Sequence, residues 1–118
     1  MSQHEYERKM LDDLLSRTIM AERFDPDPLE TVHLESQIGH IWYQAYTEKK
    51  RLDSQSGTEK ESQDRLQYRR CIVFVSEDAA RLKRALPGGL ALQARLREIR
   101  FAIKDAISTI DNLKFARR

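Results

Sequence analysis

The strongest constraint on the fold is an unbroken heptad pattern of apolar residues in the C-terminal quarter of the chain. Steps of four and three residues alternate through Leu92, Leu96, Ile99, Ile103, Ala106, Ile110 and Leu113. This spacing places every member on one stripe of a helix, and such a stripe must pack against other helices. The sequence therefore predicts a long helix whose core or oligomer seam contains Leu92, Leu96, Ile99, Ile103 and Ile110.

A first helix is predicted over about residues 2–23. Ser2 and Glu5 have the spacing of a capping box, in which each side chain satisfies a free amide at the helix start. We expect the apolar stripe of this helix to consist of Tyr6, Met10, Leu14, Leu15 and Ile19. The helix should end before Pro26 and Pro28, because a residue that precedes proline is disfavoured in the α region.

Two further helices are predicted between the prolines and the heptad segment. One covers about residues 27–55, and its apolar seam has a single weak turn at Glu48. The other covers about residues 58–86 and opens on a second S/T-x-x-E capping box. Its run 71–75 is β-branched and aromatic, which alone favours a strand. The heptad spacing continues on both sides of the run, so we expect a helix there too.

These segments predict a single all-α domain over residues 1–118. The four helices would form either a bundle or a long helical hairpin. A thin hairpin could not bury three long apolar seams by itself, so the chain is expected to be a homo-oligomer.

Few residues suit catalysis or metal binding. Cys71 is the only cysteine, so no disulfide can form within the chain, and its apolar neighbours predict a buried thiol. His33 and His40 are seven residues apart, which is not the spacing of a helical metal pair. We therefore expect no metal, no cofactor and no enzymatic activity. No stretch has the length and apolarity of a membrane span or a signal peptide, which predicts a cytoplasmic protein without membrane contact.

The charge is divided unevenly along the chain. Residues 1–64 hold 8 Lys/Arg and 14 Asp/Glu, whereas residues 65–118 hold 13 Lys/Arg and 5 Asp/Glu. The two halves thus carry −6 and +8. Either the acidic half packs against the basic half, within or between chains, or the basic half faces a polyanion such as nucleic acid.

Two clusters have the composition of a nucleic-acid surface, in which cations neutralise phosphates and aromatic rings stack on unpaired bases. The last helix carries Arg97, Arg100, Phe101 and Lys104 on one side, and the third helix adds Arg81 and Arg84. In the second helix, three aromatic residues precede three cations, at Trp42, Tyr43, Tyr46, Lys49, Lys50 and Arg51. For both clusters the alternative is that the aromatics belong to the core and the charges form a solvated face.

Two stretches resemble phage recombination mediators of the UvsY type. The two stretches span about a quarter of the chain, and the similar positions within them are residues 35–38, 43, 46–48 and 51–52, and residues 100–107 and 114–115. The resemblance implies a short helical protein that binds single-stranded DNA, self-associates and helps to load a RecA-like recombinase.

The sequence thus supports two hypotheses of different kinds. The first is a non-enzymatic single-stranded DNA-binding accessory protein, a recombination mediator that would act in the host cytoplasm if phage-encoded. The second is a helical protein–protein adaptor, inhibitor or assembly scaffold with no nucleic-acid role. If the cations at positions 81, 97, 100 and 104 pair with carboxylates of residues 1–64, the first hypothesis weakens.

Overall fold

A computed structural model describes residues 2–23, 28–55 and 62–116 of the chain. These residues form a four-helix bundle without a strand: α1 (Gln3–Glu22), α2 (Pro28–Gln55), α3 (Gln63–Arg84) and α4 (Gly89–Ala116). Each helix packs antiparallel to the next, and α4 closes the bundle against α1. The bundle measures 49 × 25 × 24 Å, which suits helices of 28 residues, each about 42 Å long at 1.5 Å per residue. The structure thus selects the bundle over the hairpin.

The helix starts match the predictions unequally. The Ser2 hydroxyl accepts a hydrogen bond of 3.2 Å from the Glu5 amide, as the first capping box predicts. Helix α3 begins later than predicted, because Ser62 is its N-cap and accepts from the Arg65 amide at 3.2 Å. The capping box predicted at 58–61 lies outside the described residues.

The turn between α3 and α4 depends on a glycine. Helix α4 begins at Gly89, three residues before the first seam residue Leu92, and Gly89 has a φ of +50°. A residue with a Cβ is strained in this left-handed region, so glycine suits the position.

The predicted seams of α2, α3 and α4 all enter one core. The buried seam residues are Leu34, Ile38, Ile41, Ala45, Leu52, Tyr68, Ile72, Val75, Ala79, Leu82, Leu92, Leu96, Ile99, Ile103, Ala106 and Ile110. The run 71–75 is helical, as the heptad spacing predicted. Because a single chain buries these seams, they no longer supply a reason to expect an oligomer.

The predicted stripe of α1 was wrong at most of its positions, because of its five residues only Leu14 is buried and Met10 and Leu15 are partly buried against the core. Tyr6 is exposed, whereas the neighbouring Glu7 is fully buried. The buried positions follow a heptad that includes two polar residues, at Glu7, Leu11, Leu14, Thr18 and Ala21. The Thr18 hydroxyl donates to the Leu14 carbonyl at 2.8 Å, and Glu7 finds partners on other helices. Buried polar groups with such partners are tolerated in a core.

Candidate nucleic-acid interface

The outer face of α4 carries two cations and an aromatic ring. Arg97 and Lys104 are exposed, and Phe101 between them is 53% exposed. The heptad seam dictates this arrangement, since these positions lie opposite the buried stripe on a helix of 3.6 residues per turn. Neither cation forms an ion pair within the described part of the chain. Both charges therefore face solvent.

Arg100 is turned away from this face toward α1. Its Nε atom lies 2.8 Å from Glu22 Oε2, and its guanidinium lies 5.2 Å from the centroid of the Phe101 ring. The side chain is mostly buried, at 24% exposed. Arg100 thus contributes to the junction of α1 and α4, and its charge is offset by a carboxylate of residues 1–64.

The two cations predicted on α3, Arg81 and Arg84, are also exposed, but Arg81 has an ion-pair partner. Arg81 Nη1 lies 3.4 Å from Asp78 Oδ1, and Arg95 Nη2 lies at 3.4 Å from the same oxygen. Arg84 is exposed and has no ion pair within the described ranges. Of positions 81, 97, 100 and 104, only Arg100 pairs with the acidic half of the chain. The basic surface is thus reduced but not neutralised.

Sequence reasoning missed a second exposed phenylalanine beside this surface. Phe74 of α3 is 39% exposed. It lines a groove of about 410 Å³ between α3 and α4, together with Gln67, Arg70, Cys71, Glu98, Phe101, Ala102 and Asp105. The heptad could have indicated its exposure, because Phe74 is not a seam position and lies between the seam residues Ile72 and Val75. The apolar run 71–75 concealed this, since all its residues looked suited to the core.

The aromatic cluster of α2 is divided between two faces. The rings of Trp42 and Tyr46 stack with centroids 5.2 Å apart and planes inclined by 19°. The amino group of Lys83 lies 4.2 Å from the centroid of Trp42, and that of Lys50 lies 5.4 Å from Tyr46. Trp42 is thus partly buried against the core and has Lys83 over its ring, whereas Tyr43 is 62% exposed on the outside.

Arg51, the last cation of that cluster, points into the bundle. It belongs to a set of five side chains that we call the polar core layer: Glu7, Glu48, Arg51, Arg65 and Tyr68. Arg65 binds Glu7 through two nearly parallel hydrogen bonds of 3.0 and 3.1 Å. Arg51 Nη2 donates to Glu7 at 2.6 Å and to Glu48 at 2.8 Å, and the Tyr68 hydroxyl also donates to Glu48.

The surroundings in the polar core layer raise the pKa values of the Tyr68 hydroxyl and the Arg51 guanidinium. Burial raises the pKa of the Tyr68 hydroxyl, and the nearby Glu48 carboxylate raises it further. The hydrogen bond to Glu48 raises the pKa of the Arg51 guanidinium. These shifts favour a neutral Tyr68 phenol and a charged Arg51 guanidinium. His4 Nδ1 also lies beside the layer, 3.7 Å from Glu7 Oε1. Since the carboxylates are occupied by arginines and fully buried, the arrangement is suited to holding helices together.

The ion pairs explain part of the uneven charge along the sequence. Glu7 with Arg65, Asp53 with Arg69 and Glu22 with Arg100 each join a carboxylate of the first half to an arginine of the second. Packing of the two halves within one chain therefore accounts for three of the cations in the basic half. Arg70, Arg84, Arg97 and Lys104 remain exposed on α3 and α4.

Cys71 is buried, as predicted, and burial raises the pKa of its thiol to about 11. A thiol with such a pKa is a poor nucleophile near neutral pH. In the described part of the chain, no three His, Cys, Asp or Glu side chains are grouped to hold a metal ion. None of the described helices has the length and apolarity needed to span a membrane.

Comparison of the chain with models of protein families, with curated proteins and with solved structures finds no match.

Proposed function

We propose that this protein is a non-enzymatic accessory protein that binds single-stranded DNA through the outer face of α4. The observation that carries the proposal is the exposure of Arg97 and Lys104 on either side of the exposed ring of Phe101. Exposed cations bind phosphates and release counterions, and an exposed ring offers a stacking platform. The preference for single strands follows from the ring, because base faces are accessible only when the bases are unpaired.

The biological role extends this proposal by one step. The resemblance to UvsY-type mediators suggests that the bound strand is handed to a RecA-like recombinase. A RecA-like recombinase should assemble its filament on single-stranded DNA faster when this protein is added. The same measurement of filament assembly on duplex DNA supplies the control.

The direct test is fluorescence anisotropy with a labelled single strand and the matching duplex at two salt concentrations. The parent protein should bind the single strand more tightly, and higher salt should weaken binding. The double variant Arg97→Ala/Lys104→Ala should lower the slope of log K against log [salt] by about 1.4, at about 0.7 per lost phosphate contact.

A matched control removes the same net charge from another face. Lys9 and Arg23 are exposed cations of the α1 region, so Lys9→Ala/Arg23→Ala should leave the slope close to that of the parent. If both double variants reduce the slope equally, binding depends on net charge alone and the α4 face is not the site. If the parent shows no salt-sensitive binding, the protein is not a DNA-binding protein.

A second candidate function is a protein–protein adaptor, inhibitor or assembly scaffold. It is favoured by the groove between α3 and α4, where the apolar rings of Phe74 and Phe101 lie beside the carboxylates of Glu98 and Asp105. Such a mixture also suits a protein segment with apolar and basic side chains. This candidate replaces the first if Phe101→Ala and the Arg97/Lys104 double variant leave DNA binding unchanged.

Self-association belongs to the same proposal. The support that remains for it is a pair of exposed hydrophobic side chains on α2, Val32 at 66% and Tyr43 at 62% exposure. Sedimentation at tens of micromolar should show a species larger than one chain, and Val32→Ser/Tyr43→Ser should shift it toward the monomer. A parent protein that sediments only as a monomer contradicts this part.

A further inference from the structure

The outer face of α2 carries a second heptad pattern, directly opposite the buried seam. Its positions repeat with steps of four and three residues, and we call them the outer stripe: Val32, Ser36, Gly39, Tyr43, Tyr46 and Lys50. Val32 and Tyr43 are the most exposed large hydrophobic residues of α2. Charged residues make up 34% of the chain, yet the stripe has none over the about 21 Å from Val32 to Tyr46. An exposed face of this kind is typical of a surface that binds protein.

Gly39 is the residue of the outer stripe that the fold itself does not explain. It lies inside a helix of 28 residues, where only proline is less favourable than glycine. A Cβ at this position would have no neighbour within 4 Å among the described residues, and the φ of Gly39 is not positive. Neither crowding nor backbone conformation within the chain therefore requires glycine. A glycine on a helix surface does permit the close approach of another molecule.

The outer stripe is divided by size along its length. The side chains of its first three positions are small or short, and those of its last three are long. The steps 4-3-4-3-4 are the same in both directions, so a second α2 placed antiparallel matches each small residue with a large one. Three pairs result: Gly39 with Tyr43, Ser36 with Tyr46, and Val32 with Lys50. Contacts across a two-fold axis need this kind of self-complementarity, and a parallel pairing would instead place like residues together.

The charges at the two ends of the outer stripe are complementary as well. Glu35 is exposed near one end, and Lys50 is exposed at the other. Neither side chain has an ion-pair partner within residues 2–23, 28–55 and 62–116. In the antiparallel pairing, Lys50 faces Val32 of the second copy, one turn from Glu35 of that copy. The two-fold axis forms this opposite-charge pair twice, whereas a parallel pairing would bring like charges together.

We propose that two copies of this protein form a closed dimer through the outer stripe of α2, antiparallel and with the two-fold axis beside position 41. Tyr43 of each copy packs into the space over Gly39 of the other. This inference rests on the self-association in the proposed function and specifies its surface, orientation and number of chains. Helix α4 packs on α1 and α3, so it lies across the bundle from α2. The dimer therefore leaves both DNA-binding faces exposed.

The first test fills the space over Gly39. Gly39→Gln adds an uncharged side chain that favours a helix more than glycine does. Sedimentation equilibrium should show the dissociation constant of the dimer rising about tenfold or more, because the added side chain occupies the place of Tyr43. The melting temperature of the dilute, monomeric protein should rise, which separates loss of pairing from loss of folding. The matched control is Ser108→Gln at an exposed position of α4, which should keep the dissociation constant of the parent.

The second test reverses charges to determine the orientation. At low salt, Glu35→Lys and Lys50→Glu should each weaken the dimer about threefold or more, because each places like charges together twice. The double variant Glu35→Lys/Lys50→Glu has the net charge of the parent and restores the opposite-charge pairs, so its dissociation constant should return toward that of the parent. Single variants that pair as tightly as the parent, or a double variant without recovery, would overturn the antiparallel arrangement.

The remaining outcomes separate this inference from the proposed function. If Gly39→Gln dimerises like the parent, the outer stripe is not the interface, although self-association itself still stands. A parent species larger than two chains overturns the closed dimer. A parent that is monomeric at tens of micromolar contradicts both the dimer and the proposed self-association, and leaves the stripe to a different protein. The DNA-binding part of the proposed function is tested by its own salt dependence and does not depend on any of these results.

Discussion

Basic side chains have opposite surroundings in two regions of this bundle. In the polar core layer, Arg51 and Arg65 are drawn inward by the fully buried Glu7 and Glu48. On the outer face of α4, Arg97 and Lys104 are exposed and have no ion-pair partner among the described residues. The difference lies in the neighbouring helices, because each inward arginine meets a carboxylate on a buried heptad position. In a cation-rich helical sequence, the basic residues that can reach a polar seam position therefore have to be separated from those on the outer face before the charge indicates a ligand.

The largest effect should follow loss of the central carboxylate of the polar core layer. Glu7→Ala leaves Arg51 and Arg65 without an acceptor that both use, so we expect the free energy of unfolding to fall by about 3–5 kcal/mol. Urea unfolding measures this loss. Glu77→Ala is the control, since Glu77 is exposed on α3 and its loss should change stability by less than about 0.5 kcal/mol. Similar losses in both variants would show that the layer is not structural.

The apolar part of the core should respond almost as strongly to a charge. Ile103 is fully buried in the seam of α4, so Ile103→Asp should cost about 3 kcal/mol or more by placing an unpaired carboxylate there. Ser108→Asp adds the same charge to an exposed position of α4 and should cost little. A melting temperature that is unchanged in Ile103→Asp would contradict the seam.

Tyr68→Phe should have a smaller effect, with a distinct dependence on pH. Loss of the hydroxyl removes one hydrogen bond to Glu48, at about 1.5–3 kcal/mol for a bond to a charged group. Because folding raises the pKa of Tyr68, its contribution is complete below the unfolded pKa of about 10 and declines as the pH rises above it.

Urea unfolding between pH 8 and pH 11 can separate this contribution. The difference in stability between the parent and Tyr68→Phe should narrow above about pH 10. Cys71 is present in both proteins and cancels in the comparison. A difference that stays constant to pH 11 would contradict burial of the neutral phenol.

Phe101→Ala should affect binding instead of folding. The ring is 53% exposed, so its removal should reduce affinity for a single strand by about 1–3 kcal/mol per stacked base and barely change the salt slope. Tyr6→Ala removes a partly exposed aromatic ring from α1 and should leave the affinity unchanged. If Tyr43→Ala weakens binding and Phe101→Ala does not, the α2 cluster is the binding surface.

The sequence predicted the architecture well where apolar spacing was regular. The seams of α2, α3 and α4 repeat every seven residues, and each is buried as expected. The failures occur where a polar residue takes a seam position. Glu48 looked like a weak turn and Tyr6 looked like a core residue, because the arginines that satisfy Glu48 and Glu7 lie on other helices or several residues away.

The candidate site was predicted only in part for a similar reason. The exposure of Arg97, Phe101 and Lys104 follows from the register of a single helix, which the sequence contains. The turn of Arg100 toward Glu22 depends on the packing of α1 against α4. Phe74 became part of a groove through the packing of α3 against α4. Neither pairing between helices can be read from spacing within one helix.

The most direct measurement compares Arg65→Ala with Arg97→Ala, which remove the same side chain from the two regions. The slope of log K against log [salt] for a single-stranded oligonucleotide is measured for each, with urea unfolding as the check on folding. Arg97→Ala should lower the slope by about 0.7 and leave stability within about 0.5 kcal/mol. Arg65→Ala should reduce stability by about 3–5 kcal/mol and keep the slope of the parent while folded. An unchanged slope in Arg97→Ala, or an equal fall in both variants, would contradict the division between structural and ligand-binding cations.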